Sequence, residues 1–228
     1  MVSAIIVAAG KGIRMKDTIR KQYLDLAGLP ILAHSVMAFD SCDLIDNIFL
    51  AVPKEDIEYC LTNILSSLEL KSKVNLIIGG PRRQDSVYNG LKSIDKYCDT
   101  VVVHDGVRPF IAPEKIDETI EMCNEYDGVV IATPAVDTMK EVNNSLIVKT
   151  LNRASIWQVQ TPQTFHREVL ERAFEKANKN NFIGTDEASL VEHLGARIVV
   201  LKGDRRNIKV TCREDLKIAS CLLKDCTA

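Results

Sequence analysis

Residues 4–9, Ala-Ile-Ile-Val-Ala-Ala, run without a polar break into Gly10-Lys11-Gly12. An unbroken apolar run of this length suits a strand buried on both faces of a parallel sheet. Its abrupt end in small residues and glycines suits a loop that brings backbone close to a ligand. The loop then turns cationic: Lys11, Arg14, Lys16, Arg20 and Lys21 face a single acid, Asp17. Backbone N–H groups and fixed positive charge thus arrive together where a polyphosphate can sit. Neither the G-x-G-x-x-G of dinucleotide folds nor the G-x-x-x-x-G-K-[ST] of P-loops is present, because Gly12 is followed by Ile13, Arg14 and Met15.

The segments that follow alternate in type. Helical apolar spacing covers 30–39, with Pro30 suited to a first turn. A strand is expected at 47–52, a helix at 54–68 and a strand at 74–78. The last ends in Gly79-Gly80-Pro81-Arg82-Arg83 before a helix carrying Ser86, Val87 and Leu91. This second glycine and arginine loop at a strand's carboxyl end is another place to meet anions and base edges. A strand at 100–103 runs into His104-Asp105, with Arg108 three residues on. Open α/β sheets hold their ligands at that end of a strand, so Asp105 is expected near a metal-bound phosphate or a substrate hydroxyl. His104, with no partner visible in the sequence, is assigned a structural part.

A fifth strand, 129–133, leads into the one break in the alternation. Residues 134–157 read as an antiparallel ribbon turning at Asn143-Asn144 and carrying the chain's only tryptophan. Such a ribbon cannot bury itself alone, so it is expected to pack on a second copy of the protein. Asp137, Thr138, Lys140 and Arg153 lie in or beside it. A polar extended stretch, 158–165, precedes a helix over 167–178, and Thr185 or Asp186 is expected to cap another helix. Strands are expected at 197–201 and 207–211, the second carrying Lys209 either toward solvent or into the site, and a helix closes the chain at 215–223.

Composition narrows the function classes. Over 228 residues the formal net charge is −2, so any phosphate binding must come from local clustering rather than a global basic field for nucleic acid. Seven scattered cysteines without C-x-x-C spacing fit reduced thiols in a cytoplasmic protein. No apolar run reaches the roughly 20 residues of a membrane span, and no targeting segment is expected ahead of the first strand. No repeat or domain linker interrupts the chain, and one domain is expected over 1–228.

Taken together, A-A-G-K-G-I-R-M, the Lys21-Gln22-Tyr23 triplet, G-G-P-R-R-Q-D-S-V, V-H-D-G-V-R-P, D-T-M-K, Thr161-Pro162-Gln163, T-D-E-A-S and N-I-K-V-T occur in one order through nearly the whole chain. In this the sequence resembles the cytidylyltransferases that act on 2-C-methyl-D-erythritol 4-phosphate. The resemblance implies an α/β fold: a single Rossmann-like nucleotidyltransferase domain, its mostly parallel sheet flanked by helices, with a projecting β-arm at about 134–157 that joins a homodimer. It also implies reaction of CTP with the polyol phosphate, with Mg²⁺ as cofactor and pyrophosphate as leaving product. By the same likeness Arg14 and Lys21 stabilise the transition state, and Arg153 and Lys209 hold the incoming phosphate. Thr138, Thr161 and Thr185 line that pocket, while Ala8, Ala9, Gly10, Gly80, Ser86 and Asp105 surround CTP, with Arg83 and Arg108 beside them. No residue is assigned as a direct metal ligand.

Two departures from the family pattern stand out: Pro81 has no N–H to offer a base, and Gly106-Val107 replaces two alanines. A cytidylyltransferase for ribitol 5-phosphate or another polyol phosphate is the alternative on the same fold. A sugar 1-phosphate nucleotidyltransferase and a non-catalytic nucleotide-binding regulator are the more distant readings.

Overall fold

The computed structural model describes residues 1–10 and 19–226. Arg14 therefore lies outside the described residues, as do Lys11 and Lys16. Seven strands form the central sheet: β1 (Val2–Val7), β2 (Asn47–Val52), β3 (Val74–Ile78), β4 (Thr100–Asp105), β5 (Gly128–Pro134), and, beyond a ribbon of β6 (Lys140–Asn143) and β7 (Leu146–Thr150), β8 (Trp157–His166) and β9 (Ile198–Lys202). Their order across the sheet is β9-β5-β8-β4-β1-β2-β3. All neighbours pair in parallel except β8, which runs antiparallel between β4 and β5.

The period of two along each strand divides the core. Ala4 and Ile6 of β1, Ala8 just beyond it, and Ile48, Leu50 and Val52 of β2 pack with Leu32, Val36 and Phe39 of α1 (Ile31–Asp40) and with Ile116 and Ile120 of α3 (Pro113–Met122). Ile5, Val7, Phe49 and Ala51 point the other way, onto Val87 and Leu91 of α2 (Arg83–Ser93), Leu170 and Phe174 of α4 (Arg167–Lys179), and Leu190 and Val191 of α5 (Glu187–Glu192). A smaller cluster seats α6 (Arg213–Cys226) through Ala219 against Leu26, Ile31, Val107 and Val210. Both faces of the sheet are covered, which is why β1 carries no polar alternation.

Several expectations change. Residues 207–211 form no strand; they cross the end of the sheet as an extended loop, tied by Val210 N–H to the Val107 carbonyl at 2.9 Å. The polar stretch 158–165 is part of β8, with Thr161, Gln163, Thr164 and Phe165 buried. Its glutamines and threonines are polar because they serve the site rather than solvent. The segment expected as one helix over 54–68 passes through short 3₁₀, α and π turns in succession. Trp157 opens β8 opposite Pro134 rather than riding on the ribbon. In place of an alanine at Gly106, the Leu32 side chain fills the space: a Cβ there would lie 2.7 Å from Leu32 Cδ1.

The ligand end follows from topology. β1 leads to α1 on one face and β3 to α2 on the other, with β1 and β4 adjacent at the centre, so the loops leaving these strands open a crevice at the carboxyl edge of the sheet.

Candidate active site

Three strand ends build the first cavity, of about 250 Å³. Ala8, Ala9 and Gly10 leave β1; Gly80, Pro81, Arg82 and Arg83 join β3 to α2; Asp105 ends β4. Lys21 and Gln22, on a 3₁₀ turn spanning Lys21–Tyr23, and Lys209 complete its walls. Gln22 is buried, and its amide donates to the carbonyls of Ala8 (2.6 Å) and Gly10 (3.3 Å), pinning the turn to the exit of β1. The glycine pair after β3 is needed for close approach: a Cβ on Gly79 would sit 2.2 Å from Ala9 Cβ, and one on Gly80 2.3 Å from Asp85 Cβ. The Ser86 hydroxyl accepts the Gly80 N–H at 3.0 Å and donates to the Arg82 carbonyl at 3.1 Å, so it shapes the loop.

A second cavity, of about 270 Å³, adjoins the first and shares Arg83, Asp105 and Lys209 with it. Arg108, Val159, Gln160, Thr161, Gln163, Thr185 and Asp186 form the rest of its lining. Asp105 is the hinge of the arrangement. Its Oδ1 accepts from Arg83 Nε at 2.8 Å, its Oδ2 lies 2.7 Å from Lys209 Nζ, and Arg108 Nε is 3.8 Å away. Arg83 also reaches Glu187, whose two oxygens are each 2.7 Å from Nη1. Three cations thus meet the carboxylates of Asp105 and Glu187.

The titration of these groups follows from their neighbours. Burial alone would raise Asp105, but Arg83 and Lys209 outweigh it and hold the carboxyl well below the usual range. Glu187 moves upward instead: burial dominates, Arg83 is its one compensating cation, and Asp105 and Asp186 oppose its charge. For Arg83 burial acts downward and is overcome by the two carboxylates, which raise it.

His104 has the partners that the sequence could not display. Its Nε2 lies 3.2 Å from the Arg108 carbonyl and its Nδ1 3.1 Å from Thr161 Oγ1. A carbonyl only accepts, so the assigned tautomer carries hydrogen on Nε2 and Nδ1 accepts from Thr161. The same hydroxyl accepts the Asp105 N–H at 3.0 Å. Thr161 therefore spends its hydroxyl on orienting Asp105 and His104. Complete burial holds His104 down at about 3, hence neutral.

The loop carrying Lys209 is anchored by Asn207, a buried residue that sequence reasoning passed over. Its amide nitrogen donates to the Thr161 carbonyl (2.9 Å) and Gln160 Oε1 (3.2 Å), and its carbonyl accepts from Arg108 Nη1 (2.7 Å). Its place in N-I-K-V-T was the available signal. Glu187 was likewise visible only as the third residue of T-D-E-A-S. Asp186 does cap α5, its Oδ1 accepting the Ser189 N–H at 3.0 Å.

Most of the expected site residues are thus brought together: Ala8, Ala9, Gly10, Lys21, Gly80, Arg83, Ser86, Asp105, Arg108, Thr161, Thr185 and Lys209 all line or support the two cavities. Thr138 and Arg153 do not join them within one chain. Both are exposed at the base of the ribbon, and Arg153 Nη1 donates to the Val136 carbonyl at 2.7 Å. Among the described residues, no three Asp, Glu, His or Cys side chains gather where they could share a metal ion. Among the described residues, Asp105 is the single carboxylate lining the first cavity.

Comparison with known proteins gives one consistent result. The sequence profile of the 2-C-methyl-D-erythritol 4-phosphate cytidylyltransferase family matches residues 2–225. Proteins of that name from Geotalea uraniireducens and Clostridioides difficile are each 42% identical to this chain; the matches cover 98% of it and 97% and 94% of theirs. The crystal structure of the Anaerococcus prevotii 4-diphosphocytidyl-2C-methyl-D-erythritol synthase superposes with a TM-score of 0.87 at 31% identity, covering 98% of this chain and 96% of that one. The Francisella tularensis 2-C-methyl-D-erythritol 4-phosphate cytidylyltransferase gives 0.81 at 34%, covering 96% and 98%.

Proposed function

This chain belongs to the 2-C-methyl-D-erythritol 4-phosphate cytidylyltransferase family, and we propose that its two adjoining cavities are the CTP and polyol phosphate subsites of that reaction. The protein is a nucleotidyltransferase that transfers a cytidylyl group from CTP in isoprenoid biosynthesis. One observation carries the placement: Asp105, Arg83 and Lys209 stand on the wall common to both cavities, where the two reactants have to meet.

Joining a phosphate monoester to the α-phosphorus of CTP sets two anions against each other, and the attacking oxygen must lie in line with the departing pyrophosphate. In our reading Lys21, together with Arg14 from outside the described residues, follows the charge that grows on the phosphoryl and leaving oxygens. Lys209, held by Asp105, and Arg108 draw the polyol phosphate into the second cavity beside Thr161 and Thr185. Backbone at Ala8, Ala9, Gly10 and Gly80 borders the nucleotide, in a loop shaped by Ser86. No covalent nucleophile is required.

A single carboxylate among the described residues of the first cavity fits Mg²⁺ carried mostly by triphosphate oxygens and water, with Asp105 the residue that would hold it. When bound, the ion supplies neutralisation of phosphate charge.

The ribbon supports a homodimer. Val142, Leu146, Ile147 and Val148 are all more than half exposed on it, a surface a second copy would cover while bringing Thr138 and Arg153 to the neighbouring site. A cytoplasmic location agrees with Cys42, Cys60, Cys98, Cys123, Cys212 and Cys221 being free, and no helix among the described residues is long and apolar enough to cross a membrane.

The direct test incubates the protein with CTP, Mg²⁺ and either 2-C-methyl-D-erythritol 4-phosphate or ribitol 5-phosphate and measures pyrophosphate. Faster turnover of the methylerythritol compound is expected. Faster turnover of ribitol 5-phosphate, or of a hexose 1-phosphate, would overturn the substrate assignment.

A further inference from the structure

Glu187 is the first residue of α5 and is completely buried. Nothing about the helix requires a charge there, because Asp186 already supplies the cap. A buried carboxylate costs several kcal/mol of desolvation, and an apolar residue of similar size would often serve stability better. Arg83 is the cation it meets, with both Glu187 oxygens 2.7 Å from Nη1.

The geometry of that contact decides how Arg83 can treat Asp105. A guanidinium facing one carboxylate favours a two-pronged pairing that occupies both oxygens. Here only Nε meets Asp105, at Oδ1; Nη1, on the other side of the guanidinium, is held by Glu187, and Nη2, the arm that shares a side with Nε, is buried with no hydrogen-bond partner among the described residues. Oδ2 meets Lys209 at 2.7 Å. We propose that Glu187 is a positioning residue for the reaction: by holding Nη1 it fixes the plane of the Arg83 guanidinium so that Nη2 stays off Asp105, and so keeps Lys209 anchored on Oδ2 at the entrance to the polyol phosphate subsite.

The proposal rests on the assignment of the second cavity to the polyol phosphate. Without a carboxylate on Nη1, the Arg83 guanidinium turns and brings Nη2 onto Asp105 Oδ2, Lys209 loses its anchor, and the phosphate of the acceptor meets a poorly placed cation. The nucleotide side, built from the β1 and β3 loops and Lys21, is left in place. Glu187 acts through Arg83 and Asp105 and touches neither substrate.

The test is steady-state kinetics of Glu187→Gln, varying CTP and the polyol phosphate separately. We expect the KM for the polyol phosphate to rise roughly tenfold while the KM for CTP moves less than about threefold. A merely structural part would lower the active fraction, reducing kcat with both KM values unmoved; that result, or an equal rise in both, overturns the proposal. In a Lys209→Gln background the Glu187→Gln effect should largely vanish, and simple additivity of the two changes would count against it. Should Glu187→Gln fail to fold, Glu187→Asp keeps the charge one methylene short and should show a smaller shift of the same selectivity; an unshifted ratio there sinks the idea. If the unaltered protein makes no pyrophosphate with any polyol phosphate, the subsite assignment has failed; an active enzyme whose Glu187 variants show no selective shift fails only the positioning role.

Discussion

Asp105 is the residue on which the site turns, because its two oxygens separately hold cations that come from a helix start and from a distant loop. Replacing it with asparagine leaves Arg83 and Lys209 short of a counter-charge in a partly enclosed space. Breaking a buried pair in this way costs about 3 kcal/mol of stability, reduced by the partial exposure of Lys209. Asp105→Asn should therefore melt earlier than the parent in a thermal scan as well as losing turnover, and an unshifted midpoint would show that these contacts add nothing to the fold. Lys21 tests the other end of the reaction. A cation that acts on charge developing in the transition state affects kcat more than ground-state binding. Lys21→Ala is expected to lower kcat by roughly 10²- to 10³-fold with a much smaller change in CTP affinity measured by calorimetry. Equal losses in the two would make Lys21 a binding group only.

At the scale of elements, three short pieces of chain decide the site, and each reads differently in sequence. The β1 exit announces itself through composition, since a buried strand must end before its backbone can meet a ligand. The loop at 203–211 does not: Ile208, Lys209 and Val210 look like strand residues, yet Asn207 and Val210 pin the segment across the sheet end through contacts to Thr161, Gln160, Arg108 and Val107. β8 misleads in the opposite direction, since its buried polar residues find partners in elements far away in sequence, such as Asp186 for Gln163 and Thr119 for Thr164. The β6–β7 ribbon carries its own prediction. Paired replacements Leu146→Asp and Ile147→Asp put charge on exposed apolar positions that meet no core of their own chain. They should convert a dimer to a monomer in sedimentation or light scattering, with activity falling alongside if a second copy completes the site. An unchanged assembly would remove the ribbon from the interface.

Over the whole molecule, the buried network gives stability a dependence on acidity. His104 is neutral in the fold, its pKa held at about 3 against an ordinary 6.5. The unfolded chain therefore takes up a proton first as pH falls, so the contribution is complete above about 6.5 and is lost progressively down to about 3. The depressed carboxyl of Asp105 acts in the same direction at the lower end of that range. His104→Asn should flatten the fall in unfolding free energy between pH 6.5 and 4 by about 1.4 kcal/mol per pH unit, the slope due to one proton. An unaltered slope in urea titrations would mean that His104 titrates alike in both states. The sequence by itself determined the alternating α/β order, the two glycine-bearing loops and the ribbon, because buried strands, turns and loop ends are local matters of periodicity and sterics, and its resemblance to the family supplied the identity of most cavity residues. Only the tertiary structure decided which charges face one another. The pairing of Arg83 with Glu187 spans 104 positions and that of Lys209 with Asp105 another 104, and no local spacing encodes a contact made by folding a seven-stranded sheet around its centre.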